Sequence, residues 1–152
     1  MAGISESLEL NIMFAYMLSP NLKYRKIWLL MGFGWIGLVI FLSLMHNPPQ
    51  VMDVQMFDKI EHFSAYAMLM FWFCQIYWEM PHRLKIAFAL AALGVSIEIV
   101  QGMEGFRVFE YADMLANTIG VLIGWGLGKT ALKQSLFKIE QLIKRLFFCS
   151  DL

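Results

Sequence analysis

The sequence predicts an all-α, polytopic membrane protein: a four-helix transmembrane bundle with a C-terminal basic amphipathic helix. Three observations carry this. Apolar residues make up 59% of the chain and charged residues 16%, too few charges to clothe a water-soluble domain with so much apolar surface, so the solvent is lipid. The apolar residues fall in four runs, and a chain of 152 residues holds four spans of about 20 residues with short connections and tails. The basic residues cluster beside alternate ends of those runs, as they do in a chain that crosses a membrane repeatedly.

The four spans are expected at about 27–45, 58–78, 84–103 and 112–128, forming a transmembrane domain over 1–128, with an amphipathic tail over 129–152. The first span is an uncharged run holding Gly32, Gly34 and Gly37. It ends at His46-Asn47-Pro48-Pro49, where paired prolines stop a helix. It is too long for a signal h-region and no small-residue cleavage pattern follows, so it reads as a retained span. The second run, 63–78, is short for a bilayer and is completed by a helix that begins near Asp58 with its polar first turn at the interface. The third carries Ser96, Glu98 and Gln101 towards its end, and the fourth carries Asp113 and Asn117 towards its beginning.

Lys23, Arg25 and Lys26 precede the first span, Arg83 and Lys85 lie between the second and third, and Lys129, Lys133, Lys138, Lys144 and Arg145 follow the fourth. The other two connections hold only Lys59 and Arg107. Lys and Arg resist translocation, so both termini are expected in the cytoplasm, with the first and third connections outside. Tyr24, Trp28, Tyr77, Trp78 and Trp125 then form an inner aromatic belt. In the tail, Leu132, Leu136, Ile139, Ile143 and Leu146 recur in helical steps with the basic residues off that stripe. A helix lying on the anionic inner leaflet is expected, with a coiled-coil partner helix as the rival.

Total charge is balanced, with 12 basic and 12 acidic residues, and gives no reason to expect nucleic acid. Two cysteines, Cys74 in an apolar run and Cys149 in the tail, exclude a disulfide framework and offer no metal spacing. No cofactor motif is present, and no metal is expected.

With this topology every polar residue near the membrane converges on the outer side: Asp58, Lys59, Glu61, His62, Glu98, Gln101, Arg107, Asp113 and Asn117. Such residues cost about 2.5–3.5 kcal/mol at mid-span on insertion scales, so each should face protein, water or ligand. Asp58 with His62, Glu98 with Gln101, and Asp113 with Asn117 each share a helix face. Below them run small residues, Gly94, Ala91 and Ala87 on the third span and Ala116, Gly120, Gly124 and Gly128 on the fourth, where helices touch closely. Structural roles compete for several positions. Asp58 with Glu61 resembles a capping box, Asp113 suits the positive end of a helix dipole, His62 suits a hydrogen-bonded packing role and Asn117 interhelical bonding. Glu98 is the exception, because a carboxylate inside a span needs a partner, with Arg107 nearest in sequence and Lys59 or His62 available in space.

The blocks Asp58-Lys59-Ile60-Glu61-His62-Phe63-Ser64-Ala65-Tyr66, Glu98-Ile99-Val100-Gln101, Arg107, and Asp113-Met114-Leu115-Ala116-Asn117-Thr118-Ile119-Gly120 with Gly124 resemble the VanZ-like family of bacterial membrane proteins. The likeness covers the second to fourth spans in order, about half the chain. It implies a cytoplasmic-membrane protein related to a factor for low-level resistance to teicoplanin, a glycopeptide that binds cell-wall precursors outside the membrane. The recurrent polar positions it carries over are Asp58, Lys59, His62, Glu98, Gln101, Arg107, Asp113 and Asn117, the set that topology selects independently. The short aromatic connection 104–111 departs from the pattern, and the basic tail lies outside it.

The leading functional expectation is a binding or envelope-modifying protein whose outward polar pocket engages an amphiphile: a membrane lipid, a lipid-linked wall precursor, or a glycopeptide or lipopeptide. In that reading Arg107 and Lys59 hold an anionic head group, with Phe106, Phe109 and Tyr111 at the mouth; a homo-oligomer is compatible. The alternative is a hydrolase or transferase acting on a lipid-linked phosphate or ester, with His62 and Glu98 as candidate catalytic acid and base. Against it, the sequence has no nucleophile elbow, HExxH or phosphate loop, and His46 and His82 fall on opposite sides of the membrane. Transport requires a charge relay across the bilayer, whereas the inner halves of the spans are apolar and glycine-rich.

Overall fold

A computed structural model of the chain describes residues 22–45, 55–104 and 110–148. Among the described residues there are five α-helices and no strand: α1 (Arg25–Ser43), α2 (Gln55–Ile76), α3 (Met80–Glu104), α4 (Tyr111–Leu127) and, after a 3₁₀ turn at Ala131–Gln134, α5 (Ser135–Phe148).

α2 is the hub. Its Tyr66, Leu69, Met70, Phe73, Cys74 and Ile76 are all buried, so it is apolar on several sides rather than along one stripe, as a helix surrounded by neighbours must be. Its closest partner is α4, and the reason is a column of glycines. A Cβ on Gly120 would land on the Phe63 carbonyl oxygen, one on Gly124 on the Ala67 carbonyl oxygen, and one on Gly128 on Cys74. Residue numbers on the two helices rise together along that seam, so α2 and α4 run parallel.

α1 and α3 run the other way. At its beginning α1 meets the end of α2, where Trp28 and Trp72 stack edge to face at 5.9 Å and the Trp72 indole donates to the Trp28 carbonyl. Gly32 of α1 sits against the Phe73 and Trp72 rings, leaving no room for a side chain. α3 passes α4 with Gly94 against the Asn117 side chain. The four helices therefore alternate up and down, the simplest connectivity for short links.

The outward faces are apolar. Leu30, Phe33 and Phe41 on α1, Phe88 and Met103 on α3, and Leu115, Leu122 and Ile123 on α4 are all exposed; an apolar surface of this extent calls for an apolar surrounding. Two helices, Arg25–Ser43 and Met80–Met103, are long and apolar enough to cross a membrane. α4 is shorter, at 17 residues, and α2 carries Asp58, Lys59, Glu61, His62 and Gln75.

The structure differs from the sequence reading at the basic end. Arg83, expected in a connection, lies in the first turn of α3 and is buried. Its guanidinium donates to the carbonyls of Tyr77 at 2.7 Å and Cys74 at 2.8 Å, satisfying carbonyls at the end of α2 that have no helical partner. The tail differs too. Of the expected stripe only Leu136 is fully buried, packed with Leu22 and Ile76, whereas Leu132, Ile139 and Leu146 are exposed. The rotation of α5 is set by a polar residue, Glu140, which faces the bundle. Its carboxylate accepts from the backbone N–H groups of Lys23 (2.8 Å) and Tyr24 (3.0 Å) and from the Trp28 indole (2.7 Å).

The seam predicts a contrast between glycines. Gly124→Ala drives a methyl group into backbone that cannot yield, and should cost about 1–3 kcal/mol. Gly126→Ala meets open space and should gain up to about 1 kcal/mol from helix propensity. Thermal unfolding of the detergent-purified variants should rank Gly126→Ala at or above wild type and Gly124→Ala below it; the reverse order would contradict the close α2–α4 approach.

Candidate functional site

The end of the bundle opposite the basic residues gathers side chains from α2, α3 and α4. The parallel register of α2 and α4 sets Lys59 level with the start of α4, where the Lys59 ammonium bonds the carboxylates of Glu110 and Asp113, the latter at 3.2 Å. Asp113 is buried, while Lys59 and Glu110 are partly exposed, at 33% and 42% of their side chains. A partly exposed pair is worth at most about 1 kcal/mol, so Glu110 steers Lys59 without locking it. The buried Asp113 carboxylate depends more on that cation.

The helix-end role considered for Asp113 is only partly met. It lies in the first turn of α4, but the N-cap is Glu110 and no side chain caps there; Asp113 spends its bond across the bundle. Asp58 likewise lies within α2, past its start at Gln55, rather than capping it, because the helix extends a turn further back than the charge pattern implied. The Asp58 side chain, Arg107, and Phe106 and Phe109 lie outside the described residues.

Glu98 is buried near the end of α3, where its Oε1 accepts the Glu110 N–H at 2.7 Å. One bond thus ties α3 to the start of α4, placing Glu98, Glu110, Lys59 and Asp113 in a continuous chain. Gln101, one turn on, is buried and donates from Nε2 to the Ser43 carbonyl at 2.7 Å, closing the end of α1 onto α3. His62 is buried on α2, one turn in from Asp58.

Deeper still lie Asn117, expected from the sequence, and Tyr66, which the sequence did not single out as a site residue. Asn117 is buried against Gly94, with its Oδ1 lacking a hydrogen-bond partner, and the Tyr66 hydroxyl is buried and lacks one too. Tyr66 follows His62 by four residues and Asn117 follows Asp113 by four, so both continue the polar faces one turn inward. Buried polar atoms without partners are rare; Gln75 Nε2 and Trp125 Nε1, towards the basic end, are in the same condition. Glu110, the residue that links Lys59 to Glu98, was also missed: in sequence it is one acidic residue in an aromatic connection, and only the packing of α4 on α2 brings it to Lys59. Among the described residues no group of three or more His, Cys, Asp or Glu is placed to hold a metal ion.

Chemically, the described part of this end holds four carboxylates, Glu61, Glu98, Glu110 and Asp113, and one lysine already engaged by two of them. Lys59 is therefore not a spare cation, being held by Glu110 and Asp113.

No curated protein and no solved structure matches the chain. The VanZ/LLP1 family matches over residues 4–133, which takes in α1 to α4 and stops short of α5. That extent covers most of the chain and includes every residue of the polar end, so the chain belongs to the VanZ/LLP1 family.

Proposed function

We propose that this protein crosses the bacterial cytoplasmic membrane four times, with both termini in the cytoplasm. Its polar end faces outward and binds the head group of an amphiphilic envelope component, altering susceptibility to glycopeptide or lipopeptide antibiotics. The alternating directions of α1 to α4 support four crossings, since they put Lys23, Arg25, Arg83 and Lys129 at one end and Lys59 with its carboxylates at the other. α2 and α4 fall short of simple hydropathy and length measures for a reason compatible with spanning: α2 is shielded by the other helices and α4 enters with a polar first turn.

The observation that carries the binding reading is the burial of Glu98, Asp113, His62 and Asn117 together at one end of a bundle with apolar flanks. Ionisable groups in such surroundings are costly and usually mark a site. The partnerless Tyr66 hydroxyl and Asn117 oxygen supply a donor and an acceptor one turn below the charged groups. In this reading the Lys59–Glu110 pair opens when an anionic head group arrives, an exchange made inexpensive by its exposure.

Two measurements test this. Reporter fusions in the connections around residues 50 and 107 should be active outside the cell, and fusions near 79 and 130 should be active inside; any other pattern breaks the topology. For the site, a deletion strain complemented with wild type should recover its wild-type response to envelope antibiotics and lipopeptides. Glu98→Gln and Arg107→Ala, present in the membrane at wild-type levels, should not restore it. Full complementation by both variants would reduce the polar end to helix-end structure.

A further inference from the structure

The C-terminal helix α5 lies beyond the family match, yet the bundle holds it in one orientation. Glu140 is 3% exposed and takes all three of its bonds from the start of α1. The N-cap residue of α1, Tyr24, makes no side-chain cap bond, so Glu140 supplies from the far end of the chain the negative charge that a helix N-terminus favours. A second tether comes from α2, where Gln75 Oε1 accepts the Ser135 N–H at 3.0 Å. Leu136 packs between these two points.

With that face spent, a second apolar face is left uncovered. Ile139, Leu142 and Leu146 are 43%, 56% and 66% exposed and stand at i, i+3 and i+7, one continuous stripe. Lys138 and Arg145, seven residues apart and both exposed, run along its edge. A helix that mates with the bundle on one side and shows an apolar stripe edged with cations on the next has the design of an interfacial helix. It starts from the end of the bundle where Lys23, Arg25 and Lys129 also lie. A partner coiled coil is a poorer fit, because 14 residues fall short of the three or four heptads such an assembly requires.

We infer that α5 is an anionic-lipid-binding arm: Glu140 clamps it to α1 so that Ile139, Leu142 and Leu146 enter the cytoplasmic leaflet while Lys138 and Arg145 meet lipid phosphates. This rests on the four-span reading for the position of the leaflet. It adds to that reading a lipid-charge dependence at the end remote from the polar site. Each basic side chain near an anionic surface is worth about fivefold in occupancy, from about 1 kcal/mol, so the two together amount to about 25-fold.

The test is hydrogen exchange on the full-length protein in nanodiscs of phosphatidylcholine alone or with phosphatidylglycerol. Amides of 135–148 should exchange about tenfold or more slowly in the anionic discs, an effect that shrinks at high salt. Lys138→Gln with Arg145→Gln should remove the lipid-charge dependence, and Leu142→Glu should remove the protection in both discs. Glu140→Gln should speed exchange of α5 in neutral discs and shift Trp28 fluorescence, yet keep the response to phosphatidylglycerol. Equal exchange of wild type in the two discs would overturn the proposal, as would protection that appears only with two copies per disc, the mark of a partner helix. The four-span reading is judged separately in the same data: α2 and α4 must be protected in both discs, whatever α5 does.

Discussion

The approach of α2 to α4 is the constraint on which the remaining geometry depends. Gly120, Gly124 and Gly128 let backbone meet backbone and side chain where any Cβ would collide with Phe63, Ala67 or Cys74. Lipid offers little hydrophobic drive between apolar helices, so such contact is a main source of cohesion in a bilayer. Close contact also sets register. Once Gly124 lies on Ala67, Lys59 can only stand beside Glu110 and Asp113, and the polar end is assembled as a consequence of packing one and more turns away.

The two ends of the bundle are finished by different chemistry. At the basic end, charged groups serve backbone: Arg83 covers carbonyls of Cys74 and Tyr77 at and just past the end of α2, and Glu140 the N–H groups of Lys23 and Tyr24 that lead into α1. Each sits at the helix pole that its charge favours, and each is fully used by the fold. At the polar end, Glu98 does similar work for the start of α4, but Lys59, Glu110 and Asp113 form a partly exposed cluster, and Tyr66 and Asn117 keep unsatisfied atoms. Unsatisfied buried atoms occur towards both ends, since Gln75 Nε2 and Trp125 Nε1 near the basic end also lack partners; what separates the ends is that the charged groups of the basic end serve backbone, whereas Lys59, Glu110 and Asp113 pair with one another within reach of solvent. The proposed function rests on the gathering of Glu98, Asp113, His62 and Asn117 at that end rather than on family membership alone.

Much of this was legible in the residues. The apolar runs located the helices: α1 to α4 fall on the four runs, with α2 starting earlier at Gln55 and α3 at Met80, and two of them are long and apolar enough to cross a membrane. Helical spacing put Asp113 with Asn117 and Glu98 with Gln101, and all four are buried at the same end. The blocks that resemble the VanZ-like family agree with the match over residues 4–133.

What the sequence by itself determined was therefore local and periodic: which segments are helical, which end of each is polar, and which glycines lie on one face. Only the tertiary structure decided which polar group meets which. Lys59 finds Glu110 across 51 positions and Glu140 finds Lys23 across 117. Charges this far apart carry no mutual signal in a single sequence, and their pairing is set by helix register and by the rotation of α5. The same reasoning explains why the sequence showed Arg83 only as one of the basic residues beside a span, while the structure adds its bonds to the Tyr77 and Cys74 carbonyls. Its position beside a span is visible in sequence, but the free carbonyls it satisfies exist only once α2 has ended beside α3.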